Sequence, residues 1–203
     1  MAIQLGARHL HGFDKPVDLL GDCHRRIEQF LDVLVAVCDA GAGRLPAPLA
    51  DNERRGLEAA LAYFRTAAPR HTADEEHSLF PRMRQAGDPR VAPVLAELDG
   101  LEADHRTADV AHAEVDALGK RWLADGRLSP ADLTRLSELL QSLRELYRRH
   151  IEVEDTRVFP LARQVLSPGA VAEVGREMAE RRGLSPPPGA DVTSSRPGSA
   201  PAP

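Results

Sequence analysis

The strongest constraint on this chain's fold is a motif it carries twice. Residues 71–85 read HTADEEHSLFPRMRQ and residues 150–164 read HIEVEDTRVFPLARQ. Aligned without a gap, they share His71/His150, Glu75/Glu154, Phe80/Phe159, Pro81/Pro160, Arg84/Arg163 and Gln85/Gln164, while Glu76 faces Asp155 and Leu79 faces Val158. A lone histidine precedes each copy: His24 lies 47 residues before His71, and His105 lies 45 before His150. A duplication made for packing alone would repeat apolar residues. This one repeats a histidine and a carboxylate one helical turn apart, where both face the same way.

The intervening sequence supplies the helices. Helix 1 is expected over 16–40, with Pro16 in the first turn, Asp14 as its cap and an inward stripe of Val17, Leu20, His24, Ile27, Leu31, Leu34 and Cys38. GAGRLPAP makes the next turn. Helix 2, over 51–85 and capped by Asp51, aligns Leu57, Leu61, Phe64, Ala68, His71, Glu75 and Ser78, and Pro69 should kink or break it just before His71. Helix 3, over 89–123, carries Val91, Val94, Leu98, Leu101, His105, Ala108, His112 and Val115, and Asp125-Gly126 closes it. Helix 4, over 130–165 with Ser129 as N-cap, carries Leu133, Leu136, Leu140, Leu143, Tyr147, His150, Glu154, Val158 and Leu161. A shorter helix is expected at 168–182.

Four long amphipathic helices joined by short connections predict an all-α, up-down-up-down four-helix bundle. It occupies 14–183 with the short fifth helix. An N-terminal extension (1–13) precedes it, and a Pro/Ser-rich tail (184–203), expected to be disordered, follows.

Six polar groups then fall on otherwise apolar stripes: His24, His71, Glu75, His105, His150 and Glu154. A buried carboxylate without a partner costs several kcal/mol, so a pair of divalent cations that unites all six removes the penalty. Imidazole with carboxylate suits two Fe ions, with Mn or Zn as chemical competitors. Four imidazoles and two bridging carboxylates supply roughly eight bonds, whereas two six-coordinate cations need about twelve. An oxo or hydroxo bridge leaves about two positions for water or a small ligand.

Composition narrows the partners. A net charge of −5 and a pI of about 5.9 provide no basic field for nucleic acid. The longest apolar run, Val33–Cys38, is too short to span a membrane. The first residues lack a basic start followed by an apolar stretch. Cys23 and Cys38 share one helix, about 22 Å apart at a rise of about 1.5 Å per residue, so they cannot pair and are expected to be reduced thiols of a cytoplasmic protein.

The residues His24, His71 with Glu75, His105, and His150 with Glu154, followed by EEHSLFP and EDTRVFP, resemble the hemerythrin-like family of HHE cation-binding domains over about 14–166. The resemblance implies a four-helix bundle around a non-haem di-iron centre. It also implies that these six residues ligate the metal and that the partner is a small diatomic ligand (dioxygen, nitric oxide) or a peroxide. Oxygen carriers of the family have a His-x-x-x-His pair on helix 3, where Asp109 stands here, and a His-x-x-x-x-Asp on helix 4. Those differences favour sensing, redox stress response or iron handling over simple carriage, with catalytic turnover left open. The alternative is a metal-dependent regulatory or interaction module without turnover, whose protein partner the sequence does not name.

Secondary candidates surround the six. Glu28 and Asp109, each at i+4 from a lone histidine, are extra ligands, orienting groups or solvated edge charges. Tyr147, one turn before His150, either reaches a metal-bound ligand or is a core tyrosine. His112 is too far along its helix to join the cluster and is expected in a buried hydrogen bond. Cys23 points away from the stripe, His77 lies off it, and His9 and His11 precede the bundle. The pairs Arg25-Arg26, Arg148-Arg149 and Arg181-Arg182 read as solvated faces.

Overall fold

The computed structural model describes residues 11–43 and 49–184. Most of the N-terminal extension, the centre of the first turn and the tail beyond Leu184 lie outside the described residues, as does His9. The described chain is helical with no strand: α1 (Pro16–Ala42), α2 (Asp51–Thr66), α3 (Ala68–Asp74), α4 (Phe80–Gln85), α5 (Leu95–Asp125), α6 (Pro130–Val153), α7 (Phe159–Val165) and α8 (Pro168–Arg181). α1 packs on α2 and α6, and α5 packs on α2 and α6. This closed ring of sequence neighbours is the expected up-down-up-down bundle.

Helix boundaries follow local chemistry with some departures from expectation. α6 starts as predicted, with the Asp132 amide donating to Ser129 Oγ at 3.1 Å. Asp14 does not cap α1; Lys15 occupies that position without a side-chain bond. Asp51 is inside α2, and the Glu53 carboxylate accepts from the Ala50 amide at 2.9 Å. The third helix begins at Leu95 rather than at 89, because a 3₁₀ turn over Ala92–Val94, with Pro93 at its centre, precedes it. Gly126 ends α5 at φ 69°, in the left-handed region. The helix interruption anticipated from Pro69 falls at Ala67, between α2 and α3.

Both copies of the motif contain a π-helical turn that periodicity did not foresee, over Glu75–Leu79 and Glu154–Val158. The Phe80 amide bonds to the Glu75 carbonyl, and the Phe159 amide to the Glu154 carbonyl. These i→i−5 bonds insert one extra residue into the turn. The next residue in each copy is proline, which has no amide to restore the α-helical ladder. Each turn advances the register by one position, so Ala162 is fully buried where Leu161 was expected, and Leu161 is only half-buried.

Two apolar clusters result. One contains Ile27, Leu34, Leu61, Phe64, Trp122, Leu140 and Leu143. The other contains Leu20, Leu79, Phe80, Leu98, Val158, Phe159 and Met178, so α8 contributes to it. Two close approaches depend on glycine. A Cβ on Gly175 would lie 1.9 Å from the Phe13 carbonyl oxygen, and one on Gly41 would lie 2.5 Å from the Trp122 ring. Between the two clusters runs a layer of buried polar side chains.

Candidate metal centre

That layer brings together all six residues singled out by the sequence. His24, His71, His105 and His150 are 1–6% exposed, and Glu75 and Glu154 are fully buried. Within two groups, one ligand atom from each member lies within 4.8 Å of all the others: His24, His71, Glu75 and Glu154, and Glu75, His105, His150 and Glu154. The two carboxylates belong to both groups, and each group has its own pair of imidazoles. His24 Nε2 is 3.0 Å from Glu154 Oε2, and His71 Nε2 is 3.2 Å from Glu75 Oε1. His105 Nε2 is 3.4 Å from Glu75 Oε2, and His150 Nε2 is 3.2 Å from Glu154 Oε2.

The donor atoms fit cations. All four carboxylate oxygens of Glu75 and Glu154 are buried without a hydrogen-bond donor, and so are the Nε2 atoms of His24 and His105. Unpaired carboxylates at this depth are costly unless a positive charge binds them. The two lone histidines are also oriented from behind. His24 Nδ1 is 2.9 Å from Asp155 Oδ1, and His105 Nδ1 is 2.8 Å from Glu76 Oε1. An Nδ1–H held by a carboxylate turns the Nε2 lone pair inward, the tautomer a metal requires.

The electrostatics are strongly perturbed. Burial alone would depress the His24 pKa, but the Asp155 hydrogen bond and the neighbouring Glu154 and Glu75 carboxylates raise it well above the ordinary imidazole value. Burial likewise opposes the charge on His105, and Glu75 and Glu76 override it, lifting the pKa to about 9. Burial dominates at His71 and lowers its pKa to about 4, so this ring is neutral at pH 7. Burial would raise both glutamates, and Glu75 also raises Glu154. The surrounding histidines overcome this, and both carboxylates are held below the usual range.

The orienting carboxylates come from a different place than expected. Glu28 and Asp109 are exposed, as edge charges would be. The groups behind the rings are instead the residues that follow each motif glutamate. Their signal was present in the repeat, where Glu76 faces Asp155, although on an ideal helix adjacent residues point about 100° apart. Each partnership joins neighbouring helices of the ring: Glu76 from the first motif meets His105 on α5, and Asp155 from the second meets His24 on α1.

The remaining candidates fall on either side of expectation. His112 Nε2 is 2.9 Å from the Tyr147 hydroxyl, the buried hydrogen bond expected for this histidine. Tyr147 nevertheless lines a cavity of about 10 Å³ with the four histidines, Ile27, Ala68, Thr72 and Ile151. That volume is about one water molecule. Tyr147 also lines a surface groove with Leu31, Asp32 and Gln141, so it borders both the groove and the cavity. Both cysteines are free and buried. Arg148 and Arg149 are exposed as expected, while Arg26 lies over the Tyr63 ring at 5.5 Å. Arg181 and Arg182 are not a solvated face: their side chains are 23% and 19% exposed, and both bond to Asp74. No described helix is long and apolar enough to cross a membrane.

Comparison with known proteins agrees with this geometry. The family described as Hemerythrin HHE cation binding domain matches residues 15–162. A protein of Haemophilus influenzae, described only as uncharacterized, is 29% identical over 175 residues, covering 84% of this chain and 91% of that protein.

Proposed function

We propose that this chain, which belongs to the hemerythrin HHE cation-binding family, holds two iron ions that bind or react with dioxygen, nitric oxide or a peroxide, in sensing, redox stress response or iron handling. The observation that carries the reading is the sharing of Glu75 and Glu154 between two groups that each have their own imidazole pair. His24 and His71 would hold one ion, His105 and His150 the other, and the two carboxylates both. Manganese and zinc suit the same donors.

Bound iron supplies reversible one-electron chemistry and affinity for diatomic ligands. The chain supplies the rest. Asp155 and Glu76 keep the protons of His24 and His105 on Nδ1, so that Nε2 remains a donor. The apolar clusters on either side exclude bulk water and lower the local dielectric. The small cavity bounded by Ile27, Ala68 and Ile151 limits what can approach to a water-sized or diatomic molecule. Tyr147 forms part of the wall of that cavity, with its hydroxyl engaged by His112.

The test is stopped-flow mixing of the reduced, iron-loaded chain with dioxygen, nitric oxide and hydrogen peroxide. At least one should produce a near-ultraviolet charge-transfer band or a new ligand-field spectrum. Silence with all three contradicts the small-ligand reading while leaving cation binding intact.

A second expected outcome concerns the orienting carboxylates. Glu76→Ala or Asp155→Ala should lower metal affinity about 10- to 100-fold, the usual cost of losing a carboxylate behind a ligating histidine. Competition with a chromophoric chelator measures it. Affinity equal to that of the unaltered chain would show that the two carboxylates are bystanders.

A further inference from the structure

α8 lies beyond the family match, which ends at residue 162, yet its C-terminal end is tied to the first motif. Asp74, the last residue of α3, is fully buried. One Arg181 nitrogen donates to Asp74 Oδ1 at 2.7 Å, and Arg182 donates to Asp74 Oδ2 at 2.6 Å. The other terminal nitrogen of Arg181 donates to Ser78 Oγ at 2.6 Å. One guanidinium therefore bonds residues on both sides of Glu75. Ser78 also donates to Glu177 of α8. Arg82 extends the cluster, donating to Glu177 at 2.8 and 3.1 Å and to the Ser78 carbonyl at 3.0 Å.

The end of α8 is built to present these arginines. The Leu184 amide returns to the Ala179 carbonyl at 3.0 Å, and the Gly183 amide to the Glu180 carbonyl at 2.9 Å, with Gly183 at φ 67°. This closing motif ends the helix sharply and places both cations at the negative end of its dipole. The other side of α8 is anchored by Met178 and Val174, fully buried, and by the close pass of Phe13 over Gly175.

The second motif has no such clamp. The positions equivalent to Asp74 and Ser78 are Val153 and Arg157, and Arg157 pairs with Glu97 instead. The duplicated halves therefore differ where the first glutamate is fixed.

The geometry points to Arg181 and Arg182 as positioning residues for Glu75. By bonding Asp74 and Ser78 on either side of Glu75, α8 holds the carboxylate common to both metal positions where it meets His24, His71 and His105. This inference rests on the metal-binding reading above. It adds that a helix outside the family match sets the affinity of the centre.

The test is Zn²⁺ affinity of the full chain, measured by chelator competition well below the melting temperature with helicity checked by circular dichroism. Arg181→Gln with Arg182→Gln should weaken binding about 10- to 100-fold, the range seen when groups supporting a ligand are lost. Ser78→Ala, a milder change that removes the hydroxyl's bonds to Arg181 and Glu177 of α8, should weaken it several-fold. Met178→Ala thins the anchor of α8 but leaves the ion cluster, so it should lower the melting temperature and change affinity by less than about threefold. The inference is overturned if the arginine variant and Ser78→Ala bind like the unaltered chain, or if Met178→Ala loses as much affinity for a matched loss of melting temperature. If the unaltered chain binds no cation, the proposed function fails and this inference fails with it. Binding by the unaltered chain with no effect of these variants removes this inference alone.

Discussion

Glu75→Ala should abolish binding of both cations, whereas His71→Ala should lower the content from two per chain to about one. The difference follows from geometry. Glu75 and Glu154 each belong to both donor groups, while every histidine belongs to one. Deleting Glu75 takes an oxygen from each group and leaves Glu154 as the single carboxylate against two divalent charges. Deleting His71 leaves His105, His150 and both glutamates untouched. Metal content of purified variants, determined beside an equal quantity of unaltered protein, reads the outcome directly. Equal losses in the two variants would mean that the carboxylates are not shared and that the centre is two independent sites.

Removing the metal should produce the next largest effect, a loss of stability that depends on pH. At free metal about a thousandfold above the dissociation constant, each site contributes about 4 kcal/mol. For a chain of this size that is on the order of 10 °C per site. Chelation should therefore lower the melting temperature by roughly 20 °C and cost little helicity at room temperature. The metal-free chain must balance two buried carboxylates with protons on His24 and His105. Both imidazoles have folded pKa values above their unfolded ones, with His105 at about 9. Their stabilisation is complete below the unfolded imidazole pKa, about 6.5, and is lost as pH rises through the folded value. His71 and the glutamates act in the opposite sense: with folded values below unfolded ones, their stabilisation is present at neutral pH and lost in acid. Thermal melts across pH 6 to 10 should thus show the metal-free protein losing stability towards pH 9 and the loaded protein losing much less. Parallel pH profiles for the two forms would contradict cation replacement of those protons.

Most of this architecture was legible in the sequence because burial leaves a period. Stripes such as Leu133, Leu136, Leu140 and Leu143 identify an inward face, and all four are buried. The six polar residues stood out because they interrupt such stripes at matched spacing. What escaped has physical causes. A π turn adds one residue without changing the local composition, so a 3.6-residue template reads straight through it. The proline two residues past each turn was its sequence mark, since its missing amide prevents the α-helical ladder from closing on the preceding residues. Asp74 escaped although it lies three residues after His71, on the same helical face. Its partners Arg181 and Arg182 are more than a hundred residues away and carry no period that announces the pairing. Adjacent arginines are commonly solvated, and only the docking of α8 onto the first π turn made these two partners of a buried carboxylate. Glu76 and Asp155 escaped for a related reason: the rings they hold lie on neighbouring helices, and a contact between helices adds nothing to the period of either one.

The central claim is that two cations share Glu75 and Glu154. Anomalous X-ray scattering at the iron absorption edge, from crystals of iron-loaded protein, tests it most directly. Two peaks are expected inside the bundle, one against His24 and His71 and the other against His105 and His150, both in contact with the two glutamates. A single peak, or peaks away from these six side chains, would contradict the account.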